Sequence, residues 1–376
     1  MPVPEAVTVF DVGSLRNYLS QLPDPRARRG VRYALVDLLS LLILAKLGGE
    51  DGMKGMAEWV RLRGKDLVRM LGLPRQTLPH QTTYERVLEA LEHSVGAFFA
   101  QQAPANFTIT LDGKTLRGTI PVGTTQGVHL LAAYVPEQGV VLMQIEVECK
   151  ANEITVAPCV LDMLDLRGHV VTGDAMFTQR PLCEQIVRAG GDYVLPVKAN
   201  QAALQQAITE VFMPAPVTPG HSRCLLPEAT AYTINSGHGR IEQRFLTVSS
   251  QLNQYADWPH LHQVFRLQRL VHYQRTGRLT YEVVFGVTSL STVQCDADRL
   301  LRITRDHWLI ENRLHYVREV TFGEDGCPIR HPKRQRVLAC LNNLAIGLIP
   351  QCDFDYISQA RRFFALNYHA AIQLIS

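Results

Sequence analysis

The change of periodicity near Asn106 constrains this chain of 376 residues more than any other feature. Up to that point apolar residues recur at helical spacing. Beyond it come three β-rich runs, 107–111, 128–135 and 139–147, the last two flanking the turn-forming Pro136-Glu137-Gln138-Gly139. A helical pattern follows at 153–164, then a strand at 169–172, a helix at 180–189 and a strand at 193–197. A three-strand meander leading into alternating helix and strand is the order of a ribonuclease-H-like α/β sheet. Further β-rich runs at 231–234, 244–248, 264–271 and 279–287 interrupt that alternation, and a long helix over 296–318 follows. The expected fold class is therefore α/β, a ribonuclease-H-like mixed sheet with a β-rich insertion at about 213–295, preceded by an all-α N-terminal domain. The expected boundaries are 1–104 for the helical domain and 105–376 for the sheet domain.

Within the N-terminal part, Ser14 is placed to cap a first helix that Asp24-Pro25-Arg26 breaks, and an apolar helix spans 33–47 up to Gly48-Gly49. Two more helices fit 54–71 and 82–99. Such a unit suits either DNA contact, towards which Arg26, Arg28, Arg29 and Arg32 tip it, or packing and dimerisation. The apolar run 38–45 is far shorter than the roughly 20 residues of a spanning helix, so it reads as core and no membrane is expected. With 46% apolar and 19% charged residues the chain can bury a proper core and does not resemble a disordered one. A net charge of +3 is too small to make the whole surface a polyanion-binding one, so nucleic-acid contact has to come from local patches. Eight cysteines without a Cys-x-x-Cys pair, and an opening stretch that carries Glu5 and Asp11, point to reduced thiols in a cytoplasmic protein.

Three carboxylates stand where phosphoryl-transfer chemistry would need them. Asp112 and Asp174 each follow a β-rich run, at the strand ends where open α/β sheets build their sites. Glu311 lies on the long helix, with His307, Trp308, Leu314 and His315 at three- and four-residue spacing. Such a set could hold two Mg²⁺ ions roughly 4 Å apart, one activating a nucleophile and the other stabilising the leaving oxygen. Each residue also has a plainer role open to it. Asp112-Gly113 can be a turn, Asp174 a helix cap, and Glu311 a surface residue paired with His315 or Arg318, while Glu319, Glu324 and Asp325 are rivals for its place. There is no Gly-x-x-x-x-Gly-Lys-Ser/Thr loop, His-Glu-x-x-His pair or Gly-x-Ser-x-Gly elbow, which removes simple ATPase, zinc-protease and serine-hydrolase readings.

Several blocks carry a family resemblance. Asp-Gly-Lys-Thr-Leu-Arg-Gly from Asp112, Ala-Asn-Glu-Ile-Thr from Ala151, Gly-Asp-Ala-Met-Phe-Thr-Gln from Gly173, Val-Lys-Ala-Asn-Gln from Val197 and Gly-His-Gly-Arg from Gly237 are similar to the ISAs-type, or H repeat-associated, DDE transposases of bacterial insertion sequences. His307-Trp308-Leu309-Ile310-Glu311-Asn312, the following Val320 to Asp325 and the C-terminal Asn342-Asn343-Leu344-Ala345 extend the likeness along nearly the whole chain. Tyr316 stands where the family often has Trp, and Glu319 where it often has Asp. The resemblance implies Asp112, Asp174 and Glu311 as catalytic metal ligands, Mg²⁺ as the ion with Mn²⁺ as a substitute, and cleavage and joining of double-stranded DNA by a homodimer. It also implies DNA contacts from Lys114, Arg117, Lys198, Asn200, His238, Arg240 and Arg244. Related transposases place a phosphate-contacting arginine one turn before the glutamate and a lysine about two turns after it, and this chain departs from that pattern with His307 and Arg318 at those positions. The basic run Arg330, Lys333, Arg334 and Arg336 is the strongest candidate for further DNA contact.

Overall fold

The computed structural model describes residues 11–376 apart from 12, 14, 28, 30, 92–97, 101–105, 122, 148–151, 214–228, 238, 254 and 328–330. In chain order the main elements begin with α1 (Leu15–Gln21), α2 (Leu35–Leu47), α3 (Met53–Leu62), α4 (Gly64–Leu71) and α5 (Gln81–Ala90). Then come β1 (Thr108–Thr115), β2 (His129–Val135), β3 (Val140–Val147), α6 (Glu153–Asp162), β4 (Val170–Gly173), α7 (Arg180–Arg188), β5 (Asp192–Val197) and α8 (Ala202–Phe212). The chain continues through β6 (Ala229–Gly237), β7 (Arg240–Ser249), β8 (Gln263–Tyr273), β9 (Leu279–Thr288), α9 (Ala297–Asp306), α10 (Pro332–Leu348), α11 (Ile357–Leu366) and α12 (Tyr368–Ile375). They group into two compact units. One comprises Met1–Pro104, Gly113–Val156 and Leu309–Ser376, the other Ala105–Asp112 and Ala157–Trp308.

The first unit is built on two helices that are buried nearly all round over most of their length. Eleven residues of α2 are buried, including Leu38, Leu42 and Leu44, and α10 is buried almost continuously from Val337 to Leu348. A helix without an exposed face has to be surrounded. The N-terminal helices therefore share a core with the C-terminal ones. The β2–β3 hairpin is antiparallel, with a bulge between Ala133 and Tyr134, and it closes through Gly139 at φ 69°, as its turn sequence predicts. The helix expected at 54–71 is divided at Arg63, whose backbone leaves helical geometry, and the guanidinium of Arg63 lies over the Trp59 ring at 4.4 Å. The helix expected at 82–99 ends at Ala90, and 92–97 lies outside the described residues.

The second unit carries most of β1 together with β4 to β9. Strand β1 pairs in parallel with β4, and β4 with β5. Counted through β1, which contributes residues to both units, the strand order is β3-β2-β1-β4-β5-β9-β8-β7-β6. The first five strands have the ribonuclease-H-like order expected. The β-rich insertion is present as β6 to β9, but its strands are longer than their apolar runs, and β9 pairs antiparallel with β5 from Val194↔Thr288 to Val197↔Phe285. It thus lengthens the central sheet at its β5 edge. Helix α9 covers the sheet through Leu300, Leu301 and Ile303, against Leu246, Val248 and Phe265. Its N-cap is Asp296, whose carboxylate accepts from the Arg299 amide at 2.7 Å.

The helix expected over 296–318 is not continuous. It stops at Asp306, turns at His307–Trp308, and resumes with Ile310–His315 and Val317–Thr321 in π geometry, as the Phe322 amide bonding back to the Val317 carbonyl shows. Such wide turns recur at functional sites. Periodicity could not foresee this one, because it assumes 3.6 residues per turn.

Candidate active site

Parallel pairing fixes the first two carboxylates. The β1–β4 register ends at Leu111↔Gly173, so Asp112 and Asp174 each stand one residue past it on neighbouring strands. Asp112-Gly113 is not a turn here, because β1 runs on through Thr115. A Cβ on Gly113 would strike Glu153 and His129, which explains the glycine. Nor does Asp174 act as a cap: it precedes the short helical turn Ala175–Phe177 but makes no side-chain cap hydrogen bond. Its side chain is 56% exposed.

Several contacts set the Asp174 loop. Asn200 donates to the Ala175 carbonyl at 2.7 Å, Gln201 to the Thr178 carbonyl at 3.0 Å, and the Thr178 hydroxyl to the Pro196 carbonyl at 2.6 Å. His307 Nε2 lies 3.6 Å from Asp174 Oδ1, and its Nδ1 3.4 Å from the Thr172 hydroxyl, which meets the Thr110 hydroxyl at 3.0 Å. The nearby His307 ring holds the Asp174 carboxyl below the usual carboxylate range, burial opposes this, and the Lys198 charge reinforces it. Asp174 is thus kept ionised. Beside it, Val194, Pro196, Phe265, Leu267 and Val284 line an apolar hollow that Lys198, His307 and Trp308 also border. Sequence reasoning missed this hollow because its walls come from β5, β8 and β9.

In the other unit Glu311 lies on the π-helical segment, 60% exposed, with Oε2 3.6 Å from Nδ1 of the buried His315. The plain pairing with His315 is therefore realised, and that with Arg318 is not. Burial lowers the His315 pKa, against the influence of Glu311. Glu311, Asn312, Tyr316 and Glu319 line an open groove together with Lys114, Thr115, Arg117 and His129. Lys114 and Arg117 pair with Glu319 at 3.6 and 4.0 Å, and Arg117 also with Asp325 at 3.7 Å. Glu324, the remaining rival to Glu311, is buried.

Arg318 needs correction as a phosphate contact. It is fully buried, with Nη2 2.8 Å from Glu324 Oε2, and its Nη1 donates to Gln144 at 2.9 Å. Asn342 donates to Glu324 and Asn343 to Gln144, each at 2.9 Å. The Asn-Asn pair is thus part of a buried polar network that joins β3, the π-helical segment and α10. Arg244 is likewise held by Glu242 at 2.9 Å, with its side chain 12% exposed. Arg334 pairs with Glu89 at 2.7 Å and Glu85 at 3.4 Å, and Arg336 with Glu146. Of the remaining basic and polar positions, Lys198 and Lys333 are exposed, and Arg240 is half-buried. His238, Arg330 and Arg28 lie outside the described residues.

The sequence matches the family described as Transposase DDE domain over residues 108–348, more than half of the chain. The chain belongs to the transposase DDE domain family. Residues 16–98 match the accompanying family described as DDE_Tnp_1-associated. An Escherichia coli O157:H7 protein named "Putative transposase YncI" is 30% identical over 372 residues, covering 95% of this chain and 93% of its own. In Escherichia coli K12, "H repeat-associated putative transposase YhhI" is 27% identical over 358 residues, 90% of this chain and 91% of its own. Among solved structures, a piggyBac transposase synaptic complex with hairpin DNA overlaps at a TM-score of 0.42 and 11% identity, covering 97% of this chain and 80% of that one. For a transposase DDE domain protein, no helix among the described residues is long and apolar enough to cross a membrane.

Proposed function

We propose that this transposase nicks double-stranded DNA at the ends of its own insertion sequence and joins the freed 3′-hydroxyl to target DNA, with Asp112, Asp174 and Glu311 as the carboxylate set. The observation that carries the reading is the placement of Asp112 and Asp174 side by side past the end of the β1–β4 register, in a sheet of this strand order. An ionised Asp174 with no capping role offers oxygen donors of the kind hard divalent cations take, and the donor set suits Mg²⁺, or Mn²⁺ in its place. When bound, the ions would supply an activated oxygen nucleophile and a stabilised leaving oxygen. The chain's own contribution is to set the carboxylates: the Asn200, Gln201 and Thr178 bonds fix the Asp174 loop, and His307 keeps its charge. Lys114, Arg117 and Lys198 would meet backbone phosphates, and two copies would hold two DNA ends, in the cytoplasm and on the nucleoid when bound.

The test is incubation of purified protein with labelled DNA carrying the element's ends, with and without Mg²⁺, for wild type and Glu311→Gln. Metal-dependent nicks and joined products, both absent in the variant, are expected. Nicks without joined products would make it a nuclease, and binding without nicks a DNA-binding remnant of a mobile element.

A further inference from the structure

Three side chains from three elements meet along the Glu311 groove: Thr115 at the end of β1, His129 at the start of β2 and Glu153 at the first residue of α6. His129 Nε2 lies 2.7 Å from Glu153 Oε1, and His129 Nδ1 lies 2.8 Å from Thr115 Oγ1. Both nitrogens of one ring are thus engaged at short distance, and the pair packs on the bare backbone of Gly113. Thr115 and His129 line the groove, and the His129 side chain is 28% exposed.

Donor counting gives this chain of contacts two states. An ionised carboxylate only accepts, so His129 Nε2 carries a hydrogen and donates to Glu153. If the ring is neutral, Nδ1 accepts the Thr115 hydroxyl proton, and Thr115 offers the groove lone pairs alone. If the ring is doubly protonated, Nδ1 donates to Thr115 Oγ1, and the hydroxyl proton is free to turn into the groove. The non-bridging oxygens of a phosphodiester only accept, so a phosphate there selects the second state.

We propose that Thr115, His129 and Glu153 form a proton-coupled anchor for a backbone phosphate of DNA. The phosphate accepts the Thr115 hydroxyl proton, His129 Nδ1 takes one proton from solvent, and the Glu153 carboxylate holds the resulting imidazolium. His129 and Glu153 are positioning residues that act through Thr115. The charged and titratable groups sharing the groove are Lys114, Arg117, Glu311, His315 and Glu319. Lys114 and Arg117 both engage Glu319, so the groove's fixed cations already face an internal carboxylate and the added proton supplies new positive charge. The anchor rests on the reading that this groove receives DNA.

The experiment measures affinity of the full chain for a labelled duplex carrying the element's end by fluorescence anisotropy, in chelator at fixed ionic strength, from about pH 6 to about pH 8. Uptake of one proton makes wild-type affinity fall by up to about tenfold per pH unit as pH rises. Thr115→Val keeps the β-branched shape but lacks the hydroxyl, and is expected to lose that part of the slope, as is His129→Gln. Thr115→Ser is expected to retain it. Should the valine variant not fold, calorimetry of wild type and Thr115→Ser in two buffers of different ionisation enthalpy reads the proton directly. Parallel slopes for wild type and Thr115→Val, no proton uptake by wild type, or no DNA affinity at any pH would overturn the proposal. Because chelator is present, a protein that binds with this slope yet never cuts keeps the anchor and loses the transposase reading. One that cuts, but binds independently of pH, does the reverse.

Discussion

Asp174 occupies an exposed position past a buried strand, and the bonds that hold it are made by its neighbours' backbone carbonyls and by His307. Removing its charge therefore touches little packing. Asp174→Asn is expected to lower metal-dependent cleavage by at least about 100-fold, with a melting temperature within a few degrees of wild type, as gel assay and calorimetry would show. Glu324 is the opposite case. Its carboxylate is the acceptor for a fully buried Arg318, so Glu324→Gln leaves a charge in the core without its partner and should cost about 3–5 kcal/mol in urea unfolding. An unchanged midpoint would show that the Arg318 network does not hold α10 to the π-helical segment. Residue type and spacing make Arg318 and Lys333 look alike as surface cations, yet one is fully buried and the other exposed.

At the scale of elements, helix α10 concentrates two functions that its sequence mixes. Its N-terminal turn carries the basic run, but Arg334 and Arg336 are engaged by Glu85, Glu89 and Glu146. If DNA passes this helix, Lys333→Ala should reduce the salt slope of DNA affinity by about one unit, whereas Arg334→Ala should act mainly on thermal stability. Equal effects on the salt slope would mean that the Arg334 pairs open on binding. Further along, Gly347 lets α10 approach the Phe99 ring so closely that a Cβ would overlap it, so Gly347→Ala should cost about 1–3 kcal/mol by overpacking. The segment that carries Glu311 shows what element-level reading lacks: its helical spacing was legible, but the turn at His307 and the π winding after it depart from the 3.6-residue period that such a reading assumes.

For the whole molecule, carboxylates one residue past the register on two neighbouring strands give a divalent cation more oxygen donors than either strand alone, and a cation that binds the folded state stabilises it. Millimolar Mg²⁺ is expected to raise the melting temperature of wild type by a few degrees and that of Asp174→Asn by less, measured by differential scanning calorimetry. An equal rise in both would place the ion elsewhere. The order of periodicities along the chain was enough to determine the ribonuclease-H-like strand order and the presence of the insertion, because apolar alternation and helical spacing are local consequences of which face each segment buries. It also singled out Asp112 and Asp174, since each directly follows an apolar run, although β1 continues past Asp112 to Thr115 and the end of the run did not mark the end of that strand. What only the tertiary structure decided was the partner of each charge: that Arg318 turns inward to Glu324, that β9 extends the sheet at β5, and that Thr115, His129 and Glu153 meet. Thr115, His129 and Glu153 come from three elements, and β5 and β9 are separated by three strands, while Arg318 and Glu324, six residues apart, meet because the fold buries both. In each case the contact leaves no spacing signal, because the distance in space is set by the path of the folded chain and not by the distance along it.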